Sequence, residues 1–330
     1  MSERRISPGA LARLASARDV VVVGHNNPDA DSVCGALALA ASYRDRGGRT
    51  IAITPNALPE ALRFLPGGET LQIAPESLER PDLVIAVDSG SYDRIAGGLQ
   101  GARVWIDSVP LVNIDHHISN SGYGTEQVID PHAASVCEVL YDLFDELSWE
   151  ITPAIARLLL TGVITDTRGF RTSSTTARSL RIGGALIDRG APLTAVADSV
   201  HRYRVAAELP LWGLVLERVE RYDDVLWSHV THRDAARFGL DLADIEGLVG
   251  FLADTRDVHV AILFTAHSDD RVRVSLRADM GVDVARVAQQ FGGGGHRAAA
   301  GCTIEGVDLG TAVERIITAV RAALASGANA

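Results

Sequence analysis

The sequence predicts an α/β protein: an N-terminal, mostly parallel sheet flanked by helices, followed by a smaller mixed α/β unit. Three observations carry that expectation. Short β-branched runs such as Val20–Val23 do not alternate with polar residues, as expected of strands covered on both faces. Helix formers follow these runs, so strand, loop and helix succeed one another through the first half. In the last third, "VLWSHVT", "DVHVAILFTA" and "RVRVSLRA" are strand candidates of another kind, alternating or apolar and separated by turns.

Taken in order, Ser7 reads as an N-cap and Pro8 as the first residue of a short entry helix. The valine run is the first core strand, "DSVCGALALAASYRDRG" is a helix closing on Gly47, and "RTIAIT" is the next strand. The pattern returns at "DLVIAVDSGS" and "PLVNIDHHISN", each an apolar run with an acid at or just past its end. "TPAIARLLLTGVITDTRGF" reads as a helix from Pro153 whose last turn delivers Asp166. Its apolar residues are expected to fill a core, with a homodimer face as the other reading. Helix-like pieces over 186–210 form the expected linker between a catalytic domain at 1–185 and a substrate-binding domain at 211–330. In that second domain "LADIEGLVGFLAD" is a helix, "VDVARVAQQFGGGGHRAAAGCTI" is helix, glycine loop and strand, and "DLGTAVERIITAVRAALASG" is a closing amphipathic helix.

A chain of 330 residues, 47% hydrophobic and 22% charged, has the size and composition of a two-domain soluble protein. Its formal net charge of −11 opposes a long duplex nucleic acid as partner, while a short phosphate ligand is compatible with it. Three cysteines without a CxxC pair give neither a disulfide framework nor a thiolate zinc site, which fits a reducing cytoplasm. Neither a signal-peptide core nor a membrane-spanning apolar run is expected.

In open parallel sheets, ligands bind outside the carboxyl ends of the strands. His25, Asp29, Asp31, Asp88, Asp115, His116, His117 and Asp166 are all expected at that edge. One acid at a strand end is ordinarily a turn former or helix cap, and Asp31 or Ser32 could simply cap the following helix. So many carboxylates in one place instead require a cation to relieve their repulsion. Mixed His and Asp donors favour a borderline-hard divalent ion, Mn²⁺ first, with Mg²⁺ or Co²⁺ as alternatives. Two ions sharing a bridging carboxylate accommodate the set better than one, and paired ions suit phosphoester hydrolysis.

"HNNPDAD", "VDSGS", "NIDHHISN" and "TGVITDTRGF", in that order, resemble the four motifs of the DHH phosphoesterase superfamily, and "GGGGHRAAAG" resembles the signature of a DHHA1 domain. The resemblance spans nearly the whole chain and is strongest to the compact, NrnA-like oligoribonucleases that also act on 3′-phosphoadenosine 5′-phosphate. It implies that His25 and Asp29 hold one ion, that Asp31, His116 and Asp166 hold another, and that Asp88 bridges them. It further implies that Asp115 fixes the imidazole of His116, and that His117 faces the scissile phosphate as charge stabiliser or proton donor. Arg168 stands where the family commonly has glycine.

The run Gly292–Gly295 has neither P-loop nor dinucleotide-fold spacing. Arg277, Gly293, Gly294, Gly295, His296 and Arg297 are expected instead to grip a terminal phosphate through backbone N–H groups and cations. The expected substrates are short RNA, linear dinucleotides such as pApA and 3′-phosphoadenosine 5′-phosphate, with cyclic dinucleotides less suited to a grip on a free end. A manganese pyrophosphatase or exopolyphosphatase, or a catalytically silent dinucleotide sensor, are the competing readings.

Overall fold

The computed structural model describes residues 5–58, 62, 65–201, 206–242, 247–279 and 282–327, with backbone alone at His201, His296 and Ser326. The chain divides into two compact units, Met1–Tyr203 and Arg204–Ala330.

The first unit is built on seven strands: β1 (Arg5–Ile6), β2 (Asp19–Val23), β3 (Arg49–Thr54), β4 (Gln72–Ile73), β5 (Leu83–Val87), β6 (Leu111–Asp115) and β7 (Glu126–Ile129). They lie in the order β1-β7-β6-β5-β2-β3-β4, parallel throughout except for β1 against β7. From β2 the chain steps outward to β3 and β4, and then returns to lay β5, β6 and β7 on the other side. The strand order therefore reverses between β2 and β5, which opens a crevice at their carboxyl ends.

Helices α1 (Ala10–Ser16), α2 (Ala30–Asp45), α3 (Asp93–Ala96), α4 (Val136–Glu146), α5 (Pro153–Asp166), α6 (Ala177–Asp188) and α7 (Leu193–His201) flank this sheet. The absence of alternation in β2 has a packing cause. Val20 and Val22 enter a core with α2, α4 and α5, while Val21 and Val23 enter a second core with Ile95 and Leu99 on the opposite face. Each buried valine contributes roughly 1.5–3 kcal/mol. Helix α2 is buried around most of its circumference because it lies between the sheet and α5, and Gly35 allows the approach to Val87. The apolar side of α5 fills the same core, so "ARLLLTGVIT" is interior.

Two expectations change. Helix α1 begins at Ala10 with Gly9 as its cap, because the Ser7 hydroxyl is taken by the backbone N–H of Gln127, 2.8 Å away, at the edge of β7. The stretch 186–201, expected as linker, is part of the first unit: Leu186, Ala191 and Val196 are buried in its core.

The second unit holds β8 (Glu220–Tyr222), β9 (Val225–Thr231), β10 (Val260–Ser268), β11 (Arg271–Ala278), β12 (Gly294–His296) and β13 (Ala299–Glu305), in the order β12-β13-β11-β10-β9-β8. Only β9 and β10 are parallel. Helices α11 (Val284–Gln289) and α12 (Leu309–Gly327) seal one face; α8 (Glu208–Glu217), α9 (His232–Arg237) and α10 (Leu248–Ala253) pack on the other. Residues 243–246 of the helix expected over 242–254 lie outside the described residues. Among the described residues no helix is long and apolar enough to cross a membrane, and the three cysteines are buried and free. Burial pushes their thiols up, so Cys34, Cys137 and Cys302 stay protonated and unreactive.

Candidate metal centre

The crevice between β2 and β5 collects the predicted side chains because each follows directly from a strand or helix end. His25 lies two residues past β2, Asp88 one past β5, and Asp115 closes β6. Asp29 and Asp31 come from the start of α2, and Asp166 is the last residue of α5. Asp88 has a backbone φ of +57°, a left-handed conformation that ordinary side chains avoid and that marks functional turns.

Among the described residues, two donor groups form around the imidazoles of His25 and His116, and a third, Asp88–Asp115–His116–His117, overlaps them. His25 Nε2 lies 3.4 Å from Asp29 Oδ2 and 3.6 Å from Asp88 Oδ2. His116 Nε2 lies 3.3 Å from Asp88 Oδ1, 3.6 Å from Asp166 Oδ2 and 4.0 Å from Asp31 Oδ2. Asp88 therefore turns one carboxylate oxygen to each group. Within each set, His25–Asp29–Asp88 and Asp31–His116–Asp166, the donor atoms lie within 4.8 Å of one another, as one cation requires. Asp88 Oδ1 is buried with no hydrogen bond among the described residues, an unmet acceptor at the meeting point of both sets. These donors fit divalent ions.

The surrounding hydrogen bonds orient the ligands. Ala133 O, which can only accept, lies 3.2 Å from His116 Nδ1, so Nδ1 carries a proton and Nε2 is turned to the acids. Asp115 does not hold the His116 ring as expected. Its Oδ1 accepts from the His117 imidazole Nδ1 at 2.7 Å and from the His116 backbone N–H at 2.8 Å, because a strand-end carboxylate reaches the next two residues directly. Asn120 donates to Asp115 Oδ2 and to Ser89 O, tying the loops after β5 and β6 together. Asp29, not Asp31 or Ser32, caps α2, accepting from Ser32 N at 3.0 Å. Asp31 reaches instead to α4, whose Val136 and Cys137 N–H groups donate to it at 2.6 and 3.2 Å.

The charges are strongly coupled. Burial alone would discharge His25, but the Asp29 and Asp88 carboxylates outweigh it and raise the imidazole to about 9. Burial likewise opposes charge on His116, and Asp88, Asp166 and Asp31 raise it well above its ordinary range. Burial drives Asp166 up to about 7 despite His116, and drives Asp31 up with help from the Asp166 and Asp88 charges. Burial also works to raise Asp88, yet the imidazoles of His116 and His25 hold it far below the carboxylate range. Without a cation, protons on the histidines neutralise the acids.

That has a measurable consequence. A raised His25 contributes stability that is complete below its ordinary 6.5 and is lost as pH rises through about 9; Asp166 acts in the same direction between 3.8 and about 7. Metal-free protein is therefore expected to lose thermal stability as pH rises from about 4 to 9, with saturating Mn²⁺ removing the decline. Calorimetric titration of Mn²⁺ at pH 7 in two buffers of different ionisation enthalpy should show release of at least about two protons per chain, one from each imidazole, with a further contribution from the raised Asp31 and Asp166 carboxyls. Buffer-independent heats would argue against ligation by these histidines.

The second unit places the remaining predicted residues. Gly294 and Gly295 lie in β12, not in a free loop, with Gly294 paired to Gly301 and Gly295 to Ala300. A β-carbon at Gly293 would strike Gly301 O and the Cys302 side chain, and one at Gly295, where φ is +141°, would meet Ala299 O and Ala300. Close packing of β12 on β13 requires these two glycines, whereas Gly294 has open space. Arg277 and His296 both register on Ala299 from opposite sides, and Arg297 O accepts from Val284 N at 2.9 Å. The His296 side chain lies outside the described residues.

Sequence reasoning missed two contributors: the Ala133 carbonyl, which has no side-chain signature, and Asn120, visible only as the last residue of "NIDHHISN".

Residues 19–163 match the DHH family, N-terminal domain, and residues 225–326 match the DHHA1 domain. The chain is 32% identical over 302 residues to the bifunctional oligoribonuclease and PAP phosphatase NrnA of Thermus thermophilus, covering 92% of this chain and 89% of that protein. To NrnA of Bacillus subtilis it is 25% identical over 299 residues, covering 89% and 92%. A solved exopolyphosphatase-related protein from Bacteroides fragilis superposes with a TM-score of 0.89 at 22% identity, over 98% of both chains, which establishes a shared fold.

Proposed function

The chain belongs to the DHH family, with a DHHA1 domain in its C-terminal half, and on that premise we propose that it is a metal-dependent phosphoesterase of short nucleotides. It cleaves short oligoribonucleotides and linear dinucleotides to nucleoside 5′-monophosphates, and converts 3′-phosphoadenosine 5′-phosphate to AMP. The observation that carries this reading is the pair of donor sets meeting at Asp88, with a family relative named for both activities. His25 and Asp29 would hold one ion and Asp31, His116 and Asp166 the other, with Asp88 shared. Bound there, two divalent ions, Mn²⁺ first among the candidates, would supply activation of a water and offset charge developing on the phosphoryl oxygens.

The chain's own groups do the rest. Ala133 and Asp115 hold the two imidazoles in fixed orientations before substrate arrives, which removes that cost from the reaction itself. His117, held by Asp115, acts at the scissile phosphate as charge stabiliser or proton donor. Arg277, His296, Arg297 and the run Gly293–Gly295 contribute the grip on a terminal phosphate in the second unit.

Purified protein with Mn²⁺ is expected to give AMP from pApA and from 3′-phosphoadenosine 5′-phosphate, slower attack on a 24-nucleotide RNA, and no phosphate from pyrophosphate. Phosphate from pyrophosphate alone would overturn the reading, and tight pApA binding without turnover would make the protein a sensor. Asp115→Asn, which removes the carboxylate that holds His117, is expected to lower pApA turnover about 10–100-fold while Mn²⁺ still binds, as read by steady-state rates beside a metal titration.

A further inference from the structure

Three acids converge on one arginine outside both donor sets. Arg178, the second residue of α6, sets Nη1 3.1 Å from Asp130 Oδ2 and 3.7 Å from Glu138 Oε2, and Nη2 2.6 Å from Asp142 Oδ2. Asp130 is buried just past β7, and Glu138 is fully buried in the first turn of α4. Burial opposes the charge on Arg178, and Asp142, Asp130 and Glu138 together outweigh it. Part of this arrangement is an ordinary helix start, since Ser135 caps α4 by accepting from Glu138 N at 3.1 Å. In a capping box the glutamate would reach back to the N–H of the cap itself. Glu138 reaches one residue further, accepting from Ala134 N at 3.3 Å, while its Oε1 is buried with no hydrogen bond among the described residues. A carboxylate so buried needs a cation, and Arg178 faces it.

The segment held in this way orients the second donor set. Asp130 Oδ1 accepts from His132 N at 3.0 Å and Asp130 O accepts from Ala133 N at 3.1 Å, so Ala133 is fastened from the Asp130 side. Glu138 fastens Ala134 from the other. Between them Ala133 turns its carbonyl to His116 Nδ1, and the Val136 and Cys137 N–H groups that follow go to Asp31. The His25–Asp29–Asp88 set has no hydrogen bond to this turn among the described residues. We propose that Arg178 is a positioning residue for the Asp31–His116–Asp166 donor set: by holding Asp130 and Glu138 together it fixes the turn over 130–135, and the turn fixes the His116 ring and the Asp31 carboxylate. The proposal rests on the two-ion reading given above, and makes one ion depend more than the other on a side chain that supplies no ligand atom.

The test is Mn²⁺ binding to the full chain, followed through the electron paramagnetic resonance of the free ion, with two binding steps expected for the unsubstituted chain. Arg178→Gln is expected to weaken one step about 10–100-fold and to leave the other within about threefold. Asp166→Asn, which removes a donor from the second set alone, identifies the steps: the one it abolishes is the one that Arg178→Gln weakens. Arg178→Lys keeps the charge and with it the fold, but one ammonium cannot meet Asp130 and Asp142 together as two guanidinium nitrogens do, and it is expected to weaken the same step about tenfold. Arg189→Gln breaks a different tie between α6 and α4, the 3.3 Å hydrogen bond to Tyr141 Oη, and is expected to leave both steps within about twofold. Equal weakening of both steps by the Arg178 variants, or an equal loss in Arg189→Gln, would overturn the proposal. A single step in the unsubstituted chain would overturn the two-ion reading itself, whereas two steps untouched by the Arg178 variants would overturn the positioning role alone.

Discussion

Asp88→Asn is expected to abolish Mn²⁺-dependent cleavage of pApA, with a loss on the order of 10³-fold or more, beyond the 10–100-fold that removal of an outer partner costs. The substitution is clean. Asparagine is nearly isosteric and tolerates the left-handed backbone found at Asp88 better than most residues. What disappears is the anion that both His25 and His116 face, at 3.6 and 3.3 Å. Since Asp88 is held ionised by those imidazoles, it stabilises the metal-free fold at neutral pH, so the variant should also melt at a lower temperature. Circular dichroism would verify the fold and product chromatography the rate. Activity within tenfold of the unsubstituted protein would remove Asp88 from the centre of the chemistry.

Gly162→Ala carries the second large effect, and its sign is opposite to the usual one. In an exposed helix the change gains about 1 kcal/mol. At Gly162, in the middle of α5, a β-carbon would overlap the Cys137 sulfur and stand 2.5 Å from Asp31 Oδ1. Neither neighbour can retreat, because Cys137 is buried at the start of α4 and Asp31 is anchored by two α4 amides. The expected cost is about 2–3 kcal/mol in thermal unfolding, together with weaker Mn²⁺ binding as Asp31 is displaced. A variant at least as stable as the parent would show that α5 can shift away from α2 and α4 at little cost.

The central strands and the positions of the acids were readable because both depend on local chemistry. β2, β5 and β6 are buried on both faces, so their runs are continuously apolar, and a carboxylate just past such a run can only lie at its carboxyl end. Strands β1 and β4 were silent because two residues have no periodicity. The partner of the His116 ring was also silent. The family resemblance implied Asp115, yet the ring is held by a main-chain oxygen 17 positions away, delivered by the turn between β7 and α4. Ser7 misled for a related reason: cap chemistry was present, but an edge-strand amide 120 residues on competed for the hydroxyl. In the glycine run, composition carried no sign that Gly293 and Gly295 are also required by the close backbone of β13.

The double engagement of Asp31 bears on how loss of activity would be recognised among descendants of this fold. A lineage that abandoned the chemistry would still be under selection to keep Asp31, because the first turn of α4 depends on it. Asp29 could drift to any small polar residue able to cap α2. Asp166 accepts no hydrogen bond among the described residues and faces the His116 imidazole at 3.6 Å, so on the proposed two-ion reading it has the least structural work of its own. The identity of residue 166, more than the presence of the Asp-His-His triplet, is where a retired enzyme would first betray itself.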